Sequence, residues 1–165
     1  MNKALQAVSV RSGAKQRLKL DEYLPYRLSV ATNTVSKLIA NAYEDRFGIT
    51  IPQWRLIAIL GEVGAATPRA IVDRTVMDKV TVGRAAQGLL ARRLIKRMPH
   101  EADGRSHHLM LTETGARLYE EIAPLALRYE RKLLEALDQH EIRQLKAALM
   151  RLENAARGLA SERVP

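Results

Sequence analysis

The sequence predicts a mainly α fold with a small β wing, in which a helix-turn-helix and a hairpin are flanked by long helices. Three observations predict it. Apolar residues recur at spacings of three and four over most of the chain, as they do in amphipathic helices. Two short helical segments precede a third whose outer face is polar and basic, the layout of a helix-turn-helix. The period then becomes alternating across "LIKRM" and "HLMLT", with Asp103-Gly104 at the turn between them, which reads as a β-hairpin.

The first helix covers "LPYRLSVATNTVSKLIANAYEDRFG", with Leu24, Leu28, Ala31, Val35, Leu38, Ala42 and Tyr43 on one face and Gly48 as its stop. The second, "PQWRLIAILGEV", is short and strongly apolar, and Pro52 suits its first turn. The third, "TPRAIVDRT", has Thr67 as N-cap and Pro68 at the first helical position. Asp78 caps the fourth, whose inner face is Val82, Ala85, Ala86, Leu89 and Leu90. After the hairpin, "ETGARLYEEIAPLALRYERKLLEALD" predicts one helix of nearly 40 Å at about 1.5 Å per residue, bent at Pro124. "QHEIRQLKAALMRLENAARGLA" predicts a last amphipathic helix. The implied organisation is a basic N-terminal arm (1–20), a dimerisation helix (21–50), a winged helix-turn-helix region (51–112) and long dimerisation helices (113–165), with 21–165 as one compact domain. These helices carry more apolar face than one chain can cover, which points to a homodimer.

The 165 residues include 27 Lys and Arg against 18 Asp and Glu, a net charge of +9. That balance favours a polyanionic partner. Residues 1–20 hold five cations and no acid, which fits either an arm on phosphates or a solvated tail. Cysteine is absent, so disulfides and thiol switches are excluded. No apolar run is long enough for a membrane helix, and the N-terminus does not read as a signal peptide. A cytoplasmic protein is the simplest expectation.

"DGRSHHLMLT" resembles the wing pattern of the MarR family of bacterial transcriptional regulators: Asp103, Arg105, then five residues to Leu111-Thr112. "GITIPQWRLIAIL" and "MDKVTVGRAAQGLLARRLIKR" are similar to the family's second-helix and recognition-helix regions. The resemblance covers about residues 24–160. It departs at Arg93, where members usually have glycine; positive φ there would cost about 1 kcal/mol. Gly83 and Gly88 inside the recognition helix could each cost up to about 1 kcal/mol relative to alanine.

The resemblance implies a DNA-binding regulator, usually a repressor that a small ligand releases. Lys79, Thr81, Arg84 and Gln87 then face the major groove. Arg84 suits a guanine edge and Gln87 an adenine, while Thr81, Lys79 and Arg69 suit phosphates. Arg105 at the wing tip would enter the minor groove, with Ser106 and His107 on phosphates beside it and Asp103 holding the tip in shape. A two-fold dimer would read an inverted repeat.

The family's ligand region would hold Tyr26, Arg27, Asn33, Trp54 and Arg55, which suit a small aromatic carboxylic acid or its thioester by stacking and ion pairing. Trp54 also reads as plain core. His100, His107, His108 and His140 are too scattered for a metal site. No catalytic constellation or cofactor motif is present, so neither enzyme activity nor a cofactor is expected. A nucleoid-associated protein of low sequence preference would share the charge and fold but lack an inducer.

Overall fold

The computed structural model of the chain describes residues 17–100 and 103–162, with the backbone alone at His100 and 103–106. In order these form α1 (Leu24–Phe47), α2 (Ile51–Val63), β1 (Ala65–Ala66), α3 (Pro68–Thr75), α4 (Lys79–Ala91), β2 (Ile95–His100), β3 (Asp103–Leu111), α5 (Glu113–Leu134) and α6 (Gln139–Ser161). The chain divides into two units between Ser36 and Lys37, inside α1. The expected arm lies outside the described residues as far as residue 16.

The mainly α class with a β wing holds. Gly48 ends α1 with φ 61, donating its N–H to Glu44 O over 2.8 Å. At the start of α2, Gln53 Oε1 accepts the Thr50 N–H over 3.0 Å. The core of the second unit is assembled from Ile49, Leu56, Ile57, Leu60, Ile71, Val82, Leu89, Leu109 and Ile122, all almost wholly buried. Each such side chain contributes roughly 1.5–3 kcal/mol relative to exposure.

The sheet is antiparallel in the order β1-β3-β2. Its two-residue β1 was not foreseen: Ala65 pairs with Met110 and Ala66 with Leu109. Asp103 and Gly104 do not form the hairpin turn. They belong to β3, and Asp103 pairs with His100. The register shifts between Pro99, paired with His107, and His100, leaving residues 104–106 of β3 with nothing opposite. Proline has no N–H to donate, so a regular ladder weakens beside it.

The expected long helix after the wing is also shorter than predicted. α5 stops at Leu134, because Asp138 is used as the N-cap of α6. Its Oδ1 accepts the His140 and Glu141 N–H groups, and Glu141 Oε2 accepts the Asp138 N–H. Reciprocal capping of this kind satisfies donors that a helix start leaves open.

Three elements meet at one point. The Thr112 hydroxyl donates to Arg93 O over 2.7 Å and lies 3.2 Å from Leu94 O, and it accepts the Gly115 N–H. The Thr112 N–H also donates to Leu94 O over 3.0 Å. Gly115 is buried, and a Cβ there would run into the Leu94 carbonyl. Gly115→Ala should therefore cost about 1–3 kcal/mol through overpacking. Gly158→Ala, on open α6 surface, should be neutral or stabilise by up to about 1 kcal/mol. Urea unfolding of both variants checks the pair.

Candidate nucleic-acid interface

The face begins at α3. Thr67 Oγ1 accepts the Ala70 N–H over 3.2 Å, and Pro68 opens the helix. Val76 ends it in the left-handed region, φ 55, and Arg74 holds α3 to α2 by a 2.6 Å ion pair with Glu62. α4 is capped at both ends. Asp78 Oδ1 accepts the Thr81 N–H over 2.8 Å, and the Thr81 hydroxyl donates to Asp78 Oδ2 over 2.6 Å. At the other end the Leu94 N–H reaches Leu89 O and the Arg93 N–H reaches Leu90 O. This pairing is a Schellman motif, with Arg93 at φ 56 in the position that glycine usually takes. The positive φ expected at Arg93 is thus present.

The inner side of α4 carries Val82, Ala85, Ala86 and Leu89, all buried. The opposite side shows Lys79, Arg84 and Gln87 to solvent. Arg69 and Lys79 come together at a groove of about 400 Å³ between α3 and α4, shared with Asp73 and Gly83. Arg69 Nε lies 3.8 Å from Asp73 Oδ2, with both side chains exposed; such surface pairs contribute little and leave the guanidinium available. Thr81 and Arg84 line a second hollow of about 280 Å³ with Thr50 and Gln53 at the start of α2. Because its hydroxyl proton serves Asp78, Thr81 acts first as part of the cap. Lys96 and Arg97 extend the exposed cations onto β2. His107 is half-buried on β3, next to His108. The Asp103, Arg105 and Ser106 side chains lie outside the described residues.

The two glycines of α4 have different surroundings. A Cβ at Gly88 would meet Gln53 Nε2 at 2.6 Å, whereas one at Gly83 would meet nothing within 4 Å. Gly88 therefore seats the side chain that caps α2, and Gly83 leaves bare backbone on the outside. Arg92 was also missed from sequence. Its guanidinium donates to Phe47 O and Gly48 O, each over 2.8 Å, fastening the end of α4 to the end of α1. A side chain reaching 44 residues back leaves no periodic signal.

The ligand candidates fall in two places. In the first unit Tyr26, Arg27 and Asn33 are exposed on α1. In the second, Trp54 and Arg55 are half-buried on α2. Trp54 stacks on Tyr119 (centroids 6.1 Å, 21° between planes) and lies tilted against Tyr43 at 5.7 Å, so it packs as core. Burial pushes the Tyr43 phenol up to about 12, partly offset by the nearby Arg55 charge. Sequence reasoning did not single out a cleft of about 240 Å³ between α1 and α5, lined by Arg46, Arg128, Tyr129 and Lys132. Arg46 lies 3.9 Å from Glu121. Among the described residues no three His, Asp or Glu side chains come together as a metal group, and no helix is long and apolar enough to cross a membrane.

A capped pair of short helices with a hairpin behind it is a winged helix-turn-helix. The family model for the MarR family matches residues 47–106. The fold is similar to a MarR/EmrR family transcriptional regulator from Acinetobacter sp. ADP1, at 28% identity over 86% of this chain and 99% of that one, TM-score 0.79. It is similar to a "probable transcriptional regulator" from Pseudomonas aeruginosa at 29% identity, 81% and 99% coverage and TM-score 0.71. Bordetella bronchiseptica BpsR, whose DNA binding is regulated by 6-hydroxynicotinic acid, shares the fold at 23% identity, 84% and 98% coverage and TM-score 0.75. No curated protein matches the sequence. Residues 47–106 thus match the MarR family model, and the chain has the winged helix-turn-helix fold of that family's solved regulators.

Hydrogen bonds from the Thr81 side chain and backbone hold the Asp78 carboxyl below the usual carboxylate range. A depressed pKa means stability that is present above the unfolded value and lost as pH falls through the folded one. Asp78→Asn should keep a cap but flatten that acid-side loss. Thermal unfolding of wild type and variant from pH 7 down past about 4, the ordinary aspartate range, reads the difference.

Proposed function

We propose that the chain is a transcriptional regulator that binds an inverted-repeat operator as a homodimer and is released by a small aromatic carboxylic acid or its thioester. The observation that carries the DNA reading is the outer side of α4. Lys79, Arg84 and Gln87 are exposed there, on a helix rigidly capped at both ends. In this geometry α4 enters the major groove, Arg84 and Gln87 face base edges, and Arg69 and Lys79 sit on phosphates. Arg105 then reaches the minor groove from the wing, with Asp103, Ser106 and His107 around it.

The dimer is supported by α6, which buries no residue within the chain. Leu145, Leu149, Leu152 and Leu159 stand exposed along it, and an apolar ridge of that length calls for a partner. A two-fold pair would set half-sites about 10 base pairs apart. The effector reading draws on the regulated DNA binding of BpsR and on the chemistry of two places. One is the candidate set, Tyr26, Arg27 and Asn33 on α1 of the first unit and, separately, Trp54 and Arg55 on α2 of the second. The other is the cationic cleft at Arg46, Arg128 and Lys132. Repression is the expected mode, and the cytoplasm is the expected compartment.

The deciding experiment selects genomic fragments with purified protein at low and moderate salt, followed by sequencing. A palindrome should survive moderate salt, which suppresses phosphate-only binding. Sequence-blind binding that salt abolishes would instead favour a nucleoid-associated protein, the reading suggested by the net charge of +9 alone. On the selected operator, Arg105→Ala should weaken binding by roughly 1–3 kcal/mol without altering the sedimentation of the dimer. Unchanged affinity would remove the wing from the interface.

A further inference from the structure

The exposed stripe of α4 is not purely polar. Val80, Gly83, Arg84 and Gln87 follow one another at spacings of three, one and three, which puts them on one side of the helix. Val80 is 60% exposed although it lies in the first turn of a helix whose opposite side is core. It therefore adds little to internal packing. Gly83, one turn on, has open space where its Cβ would be. A bare apolar side chain beside bare backbone weakens α4 as a helix and exposes it to water for no gain within the chain.

We propose that Val80 and Gly83 form a thymine-reading patch on the recognition helix. This rests on the operator-binding reading above and deepens it. Residues near the N-terminus of such a helix are the ones that reach base edges. In the major groove the thymine C5-methyl is the one apolar group that the four bases present. A β-branched side chain in a helix holds essentially one χ1 rotamer, so Val80 offers a fixed surface at little entropic cost. The missing Cβ at Gly83 gives the methyl and its base room to approach α4. Arg84 and Gln87 then read the neighbouring edges, so the patch fixes a thymine within the segment that they contact.

The test uses the full chain and the operator recovered by genomic selection, with each thymine replaced in turn by deoxyuridine. Only the C5-methyl is lost. One thymine per half-site should weaken wild-type binding about fourfold, the worth of one buried carbon. Val80→Ala should bind the thymine and uracil duplexes equally without lowering the unfolding temperature, since the site is exposed and alanine is the better helix former. Gly83→Ala should raise the unfolding temperature, since alanine is the better helix former, yet bind the operator more weakly. Opposite movement of stability and affinity is what a purely structural role would not produce. A flat deoxyuridine series on a specifically bound operator would overturn this patch alone, as would a thymine preference that survives Val80→Ala. Sequence-blind binding would overturn the regulator reading as well.

Discussion

The geometry of the DNA-facing half of the molecule depends on the few hydrogen bonds around Thr112. Its hydroxyl and N–H hold the carbonyls of Arg93 and Leu94. Those carbonyls lie where α4 has just ended and β2 is about to begin. Thr112 itself closes β3 and caps α5. One side chain thus fixes the recognition helix, both wing strands and the following long helix to each other. Gly115 lets α5 approach closely enough for this, because any Cβ would collide with the Leu94 carbonyl. The angle between α4 and the wing is therefore set by these hydrogen bonds and the close packing at Gly115, not by surface charge.

Electrostatics act on top of that frame. The cations of α3, α4 and β2 supply affinity for a polyanion, and such affinity carries no sequence information by itself. Asp78 and Asp73 stand on the same face without cancelling it. The first is committed to the N-cap of α4, and the second sits at ion-pair distance from Arg69. Discrimination must come from groups that touch base edges, and on α4 these are few. Thr81 is partly spent on the cap, so in the proposed operator complex base reading falls to Arg84, Gln87 and the patch at Val80 and Gly83.

Features with a local chemical cause were legible in the sequence. Thr67, Pro68, Asp78 and Gly48 act where their caps and stops predicted, and Arg93 takes the left-handed conformation that its position demanded. The buried side of α4 followed from periodicity alone. Features that depend on distant partners were not legible. β1 is two alanines long and exists only because β3 runs beside it. The break before Gln139 was legible, but the end of α5 was placed four residues late, because "LEALD" continues the apolar period while Asp138 gains more as a cap than as a helix interior residue. The Asp103-Gly104 signal suggested a tight turn, but both residues lie in β3, whose register against β2 shifts beside Pro99. For the site, the residue types on α4 were legible. The engagement of Thr81 was decided by a neighbour that sequence spacing does not reveal, whereas the core reading of Trp54 was already open in the sequence.

The two glycines in α4 show how one helix can serve both the core and a partner. Each costs helix stability, and together they would matter in an isolated peptide. The cap at Asp78, the Schellman turn at Arg93 and four buried apolar residues offset that cost. Gly88 repays its share inside the molecule, because Gln53 can cap α2 only if its amide has room against α4. Gly83 has no such internal partner. A helix that tolerates an uncompensated glycine on its exposed side is stabilised well enough by its ends and its buried face to leave that side free for recognition. On this argument the tight capping of α4 and the sparse, small surface at Val80 and Gly83 belong to one arrangement. The ends make the helix rigid, so that its middle can remain small enough for a base to approach.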